Sequence, residues 1–218
     1  MVRAKKRVAI LISGRGSNMQ ALIAAARAPD YPAEIVVVIS NRPQAPGVEL
    51  ARAAGVKTVV VDHKAFDSRE AFDEAIEKVL IAENVDLVCQ AGFMRIQSAS
   101  FAQRWAGRQL NIHPSLLPSF KGLHPHKQAL DAGVRISGCT VHFVTPELDA
   151  GPIIAQAAVP VAEGDTPDTL AARIVAVEHQ LYPHALRLVA IGAARLDGAR
   201  VRIDNTVNQA SVLLSPPP

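Results

Sequence analysis

Cysteine is nearly absent from this chain, acidic and basic residues almost cancel, and no apolar run reaches membrane-spanning length. Each absence removes a class of protein. The two cysteines, Cys89 and Cys139, lie inside apolar stretches. They supply neither a disulfide framework nor a cysteine zinc site, and they are expected to be buried and reduced, as in a cytosolic protein. The 23 Lys and Arg exceed the 20 Asp and Glu by only three. So small and diffuse an excess suits an anionic small molecule and leaves no footprint for nucleic acid. Arg3, Lys5, Lys6 and Arg7 read as a solvated lead-in to a strand. The opening MVRAKKRVAILISG has the outline of a signal peptide, but its apolar core over 8–12 is too short and Gly14 and Arg15 follow directly. The expectation is a cytoplasmic protein without a membrane segment.

What is present is a large core. Hydrophobic residues make up 49% of the 218 residues and charged residues 20%, which excludes a disordered chain. Apolar runs alternate with helical patterns. Strands are expected at 7–13, 34–40, 57–62, 86–91, 109–113, 137–145 and 154–161. The first five are short and rich in Val, Ile or Leu, as in strands buried on both faces. Between them, Phe72, Ala75, Ile76, Val79 and Leu80 repeat at helical spacing behind a capping box of Asp67 and Glu70. A shorter helix over 46–54 is stopped by Gly55. Thr166 caps a later helix with Pro167 at its first position and an apolar face of Leu170, Ile174, Val177 and Leu181. Pro183 is expected to kink or end that helix. The alternation predicts an α/β domain, a doubly wound and mostly parallel sheet with helices on both faces. The domain is expected over 1–192, followed over 193–218 by a tail with one short strand at 199–203 and a flexible end.

After the first strand comes Ser13-Gly14-Arg15-Gly16-Ser17-Asn18, and a helix follows. Glycines let backbone approach an anion, and the new helix offers unpaired N–H groups and the positive end of its dipole. Ser17 and Gln20 also fit a capping box. A dinucleotide site needs a third glycine near Met19, and it is missing. It also needs an acid at the end of strand 2, where the chain reads Ile39-Ser40-Asn41-Arg42. That disfavours NAD and leaves NADP open, because Arg42 suits a 2′-phosphate. No Walker lysine follows the glycines, so a P-loop is disfavoured.

The sharpest signal is Leu110-Asn111-Ile112-His113-Pro114-Ser115-Leu116-Leu117-Pro118. Residues two apart on a strand share a face, so Asn111 and His113 point the same way. Pro114 closes the strand and leaves both at its carboxyl end, where open α/β sheets place ligands. An amide beside an imidazole suits a tetrahedral oxyanion. Taken alone, the pair reads better as a polar strand end bonding only to loop backbone. Asp149, in the Pro/Gly-punctuated loop Pro146-Glu147-Leu148-Asp149-Ala150-Gly151-Pro152, supplies a carboxylate able to orient His113. His124-x-His126 lacks the further ligands of a zinc site and reads as a helix entrance. His63, His142, His179 and His184 read as surface or packing residues, and Trp105 as a packing residue on a short helix.

Four motifs then occur in order: Ser-Gly-x-Gly-Ser-Asn after strand 1, Ala-Gly-Phe-Met-Arg-Ile at 91–96, Asn-Ile-His-Pro-Ser-Leu-Leu-Pro at 111–118 and Glu-Leu-Asp-x-Gly-Pro-Ile at 147–153. Together they resemble the phosphoribosylglycinamide formyltransferases of purine synthesis, the glycinamide ribonucleotide transformylases. The resemblance covers about 7–192. The Asn-x-His-Pro-Ser and Asp-x-Gly-Pro parts are shared with other 10-formyltetrahydrofolate enzymes. The resemblance implies a Rossmann-like formyltransferase fold and transfer of a formyl group from 10-formyltetrahydrofolate, as co-substrate, to the primary amine of glycinamide ribonucleotide. It implies no metal, no nucleic-acid or membrane partner, and a monomer or homodimer. It assigns catalysis to Asn111, His113 and Asp149, and the substrate phosphate to Gly16, Ser17 and Asn18. Glu178 is implied to hold the ribonucleotide. Arg69, Met94, Arg95, Ile96, Gln97, Asn111, Thr145, Pro146, Glu147 and Leu148 are implied to meet the folate. Ala150, where many relatives carry Gly, and Pro125, in a loop flexible in relatives, depart from the pattern.

Three rivals remain at this level. A formyltetrahydrofolate deformylase carries an added N-terminal regulatory domain, for which a first strand beginning by residue 7 leaves no room. A methionyl-tRNA formyltransferase carries a C-terminal RNA-binding domain, for which the segment after Gly192 is too short. An NADP-binding oxidoreductase or a non-catalytic nucleotide-binding module would bind NADPH tightly and folate not at all.

Overall fold

A computed structural model describes residues 4–204. The elements run β1 (Lys6–Ile12), α1 (Ser17–Ala26), β2 (Ala33–Ser40), α2 (Pro46–Ala53), β3 (Thr58–Val60), α3 (Arg69–Ala82), β4 (Leu87–Gln90), α4 (Ala99–Arg104), β5 (Gln109–His113), α5 (Pro125–Asp131), β6 (Ile136–Phe143), β7 (Ile153–Pro160), α6 (Pro167–Ala190), β8 (Ala194–Asp197) and β9 (Arg200–Ile203). A seven-stranded sheet has the order β3-β2-β1-β4-β5-β6-β7. The pairs from β3 to β5 are parallel, while β6 and β7 are antiparallel to their neighbours. The order reverses between β1 and β4, so the carboxyl ends of β1, β4 and β5 open on the crevice where such sheets bind ligands.

The period of two in β1 divides the core into two layers. Val8, Ile10 and Ile12 face Met19 and Leu22 of α1 and Leu170 and Ile174 of α6. Ala9 and Leu11 face Phe72, Ile76 and Leu80 of α3 and Phe101 of α4. A strand apolar at every position is therefore covered on both sides, as the short Val/Ile/Leu runs predicted. Cys89 and Cys139 are buried free thiols, each pushed up to about 12 by burial. Trp105 closes α4, 4% exposed, with its indole N–H on Glu77.

Three local expectations are corrected. Ser68, not Asp67, caps α3, its hydroxyl accepting from Ala71 N at 3.1 Å, so Asp67 and Glu70 form no capping box there. Ser17 is the first residue of α1 and Gly16 its cap, so Ser17 and Gln20 make no box either. Pro183 does not end α6. Proline removes one ladder donor, yet Leu181, Tyr182, Ala185 and Leu186 around it are all buried and hold the helix on the sheet to Ala190. The Pro183 carbonyl instead accepts from the Tyr31 hydroxyl at 2.7 Å. The strand expected at 199–203 is β9, which pairs antiparallel with β8, an element the sequence pattern did not signal. The flexible end expected in the tail lies outside the described residues from 205 on.

Candidate active site

β5 ends at the ligand edge and carries Asn111 and His113 on one face. β6 pairs with it antiparallel, which sets His142 opposite Asn111 and Thr140 opposite His113. Beyond β6 the chain turns back through Asp149, itself at φ 48. Gly151 makes this return possible: a Cβ there would overlap the Phe143 carbonyl oxygen, so only glycine lets the loop lie against β6. The loop delivers Asp149, 7% exposed, with Oδ2 3.3 Å from His113 Nδ1. The same oxygen accepts from Gly122 N at 2.9 Å.

His113 is clamped at both nitrogens, because Nε2 lies 2.9 Å from the Phe120 carbonyl oxygen. That carbonyl belongs to a loop tied down by Ser115 Oγ donating to Ser119 O at 2.6 Å and by Thr140 Oγ1 donating to Ser115 O at 2.7 Å. A neutral imidazole donates once and satisfies one of its two acceptors, whereas an imidazolium donates to both. Both ring nitrogens are therefore engaged by protein acceptors, and the Nε2 proton reaches a reacting atom only by leaving the Phe120 carbonyl.

Asn111 Nδ2 lies 3.3 Å from His142 Nε2. His142 is 2% exposed, and its Nδ1 lies 3.0 Å from the Phe143 carbonyl oxygen. Burial holds its imidazole below the usual range, so the ring stays neutral, with Nδ1 donating and Nε2 accepting from Asn111. The second Asn111 N–H remains for a ligand. Sequence reasoning set His142 aside as a packing residue; the antiparallel register brings it within 3.9 Å of Asp149 Oδ1. Its only sequence signal was a histidine on the strand leading into the Asp149 loop. His126, in the first turn of α5, is held below its usual range by burial and by His113.

A cavity of about 50 Å³ opens beside this cluster. Arg95, Ile96, Gln97, Asn111, Thr145, Pro146, Glu147, Leu148 and Asp149 line it, together with Gln90, Val144 and His142. Two other residues expected at the folate do not line it. Met94 is 59% exposed, with its N–H on Ser13 Oγ at 2.7 Å, and Arg69 is exposed at the start of α3.

The first loop is built for an anion. Gly16 sits at φ 78, and no side chain caps the first turn of α1, which leaves its N–H groups for a ligand. Asn18 Nδ2 donates to Glu178 Oε2 at 2.7 Å, joining α1 to α6. Glu178 is 4% exposed, and burial raises its carboxyl above the usual range. Asn18 Oδ1 is buried without a partner among the described residues. The structure thus brings Asn18 and Glu178 together from opposite ends of the sequence, with Gly16 and Ser17 beside Asn18 in the chain.

A model of the formyl transferase family matches residues 6–186. The chain is 56% identical over 192 residues to a trifunctional purine biosynthetic protein adenosine-3 of Bos taurus, covering 88% of this chain and 19% of that protein. It therefore spans about a fifth of the length of the trifunctional relatives. It is 47% identical over 201 residues to a phosphoribosylglycinamide formyltransferase of Escherichia coli K12, covering 89% of this chain and 95% of that one. A glycinamide ribonucleotide transformylase 1 structure from Symbiobacterium toebii superposes with TM-score 0.89 at 51% identity, over 92% of this chain and 95% of that one.

Proposed function

The chain belongs to the formyl transferase family, and from that premise we propose that it transfers the formyl group of 10-formyltetrahydrofolate to the primary amine of glycinamide ribonucleotide. The observation that carries the reading is the buried contact of His113 with Asp149, beside Asn111 and at the edge of a cavity. The amine nitrogen attacks the formyl carbon, a C–N bond forms, and the carbonyl oxygen becomes an oxyanion. The free Asn111 N–H donates to that oxygen, and protonated His113 stabilises it. His113 then releases the Phe120 carbonyl and gives its Nε2 proton to the leaving folate nitrogen as the old C–N bond breaks. Asp149 holds His113 in place and, through water, helps remove the amine proton. The chemistry asks for no metal and no acyl-enzyme.

The ribonucleotide phosphate takes the uncapped start of α1 at Gly16, Ser17 and Asn18, with Glu178 beside it. The folate takes the cavity between Arg95–Gln97 and Thr145–Leu148, with its outer end toward Arg69 and Met94. A cytoplasmic setting suits the two buried free thiols. The test is direct. Purified protein is given 10-formyltetrahydrofolate and glycinamide ribonucleotide, with tetrahydrofolate release and the mass of the formylated product followed together. Product from both signals is expected. No product, with tight NADPH binding instead, contradicts the reading and favours a dinucleotide-binding module.

A further inference from the structure

The cavity beside the catalytic cluster has a polar wall that the transfer chemistry does not use. Gln90 ends β4, Gln109 begins β5, and Gln97 lies between β4 and α4. Gln97 Oε1 accepts from Gln90 Nε2 at 2.8 Å and from Gln109 Nε2 as well. The three residues are 7%, 7% and 1% exposed, so this is a buried carboxamide network. Its backbone is fixed: Ser98, next to Gln97, caps α4 through Phe101 N, and its own N–H donates to Asp73 Oδ2 at 2.6 Å.

The network is incomplete. Gln97 Nε2 and Gln109 Oε1 are buried without partners among the described residues. Exchanging nitrogen for oxygen on all three amides keeps both hydrogen bonds and strands Gln97 Oε1 and Gln109 Nε2 instead. Either assignment leaves one donor and one acceptor unpaired. Buried amides normally find partners, and leaving them unpaired is unfavourable. Gln90 and Gln97 line the cavity, and the Gln90 side-chain oxygen has no partner among the described residues. A small rotation of either amide turns its free groups toward whatever fills that space.

We propose that Gln90 and Gln97 are specificity-determining residues for the one-carbon donor, pairing with the amino-oxo edge of its pterin ring, and that Gln109 positions Gln97. The proposal rests on the formyl-transfer reading above. A ring edge that presents an N–H beside a carbonyl supplies a donor for the Gln90 side-chain oxygen and an acceptor for Gln97 Nε2, the two residues that line the cavity. A ring without that edge leaves the amides unpaired, and sites built this way discriminate far more sharply than apolar pockets.

The variants are Gln97→Met and Gln90→Met, which keep length and remove the amide. Calorimetry with tetrahydrofolate and steady-state kinetics with 10-formyltetrahydrofolate are run on wild type and variants. Tetrahydrofolate affinity is expected to fall, and the donor KM to rise, by about tenfold or more, the scale of lost polar recognition. The ribonucleotide KM is expected to stay unchanged. A donor analogue with methyl in place of the ring amino group is expected to bind wild type weakly, and to distinguish wild type from Gln97→Met far less than the natural donor does. Wild-type turnover checks formyl transfer by itself, whatever the variants do. Unchanged tetrahydrofolate affinity in both folded variants overturns the proposal. So does wild type that binds the analogue and the natural donor alike, a measurement that needs no variant to fold.

Discussion

Asn111 on β5 and His142 on β6 stand directly opposite each other in an antiparallel pair, Nδ2 to Nε2 at 3.3 Å. His142 spends its Nδ1 on the Phe143 carbonyl and stays neutral through burial, so it receives one Asn111 N–H and aims the other. His142→Phe keeps the ring and removes the acceptor. Turnover is expected to fall by ~10–100-fold, the scale on which misplacing a catalytic group acts, with both KM values close to wild type. An unchanged kcat in a folded His142→Phe variant rules out this positioning role.

Asn111→Ala removes the donor itself. The expected loss is ~10²–10³ in kcat, the scale of one oxyanion-hole donor, with little change in Tm because Asn111 is only partly buried. Turnover within a few-fold of wild type assigns the oxyanion to another group.

Gly16→Val acts on the other substrate. Gly16 is at φ 78, and an added Cβ would lie 2.9 Å from Met19 Cε and 3.3 Å from Gly47 Cα. A β-branched residue is strained there and closes the approach to the first turn of α1. Calorimetry is expected to show ribonucleotide affinity falling far more than tetrahydrofolate affinity. Equal losses for both ligands mean the loop is not the phosphate site.

Glu178→Gln separates stability from binding. Burial raises the folded carboxyl above its ordinary value of 4.5. Below that value the group is protonated in both states and costs nothing. As pH climbs through the raised folded value, the folded protein must ionise a buried group and loses stability. The Gln variant has no such loss, so its Tm is expected to stay level where the wild-type Tm falls, and to lie above it at neutral pH. The ribonucleotide KM is expected to rise by ~10-fold or more, the scale of a hydrogen bond to a charged group. Parallel Tm curves contradict the buried-charge account.

The fold was legible because its strands announce themselves. Val8–Ile12 is apolar at every position, and only a strand covered on both faces needs that. Asn111 and His113 were legible as a pair because a period of two is a property of the strand alone. Their meeting with Asp149 was not, since it depends on how β6 returns beside β5 and on the room that Gly151 leaves. His142 was hidden for the same reason: its face is set by register. Gln90 and Gln109 sit at the ends of apolar strands and meet through Gln97, a contact across three segments that no local spacing records. Pro183 does not end α6 because a helix docked along its buried face outweighs one missing donor.

The central claim is that the Asp149 carboxylate works through His113, held at 3.3 Å in a buried pair. Asp149→Asn keeps the shape and removes the charge. The measurement is single-turnover formyl transfer at neutral pH with both substrates saturating, on wild type and on a variant shown by calorimetry to bind both ligands. The account predicts a rate lower by ~10³–10⁴, the scale on which an acid that orients a catalytic histidine acts, with both affinities within a few-fold of wild type. A rate within tenfold of wild type would contradict it and remove Asp149 from the mechanism.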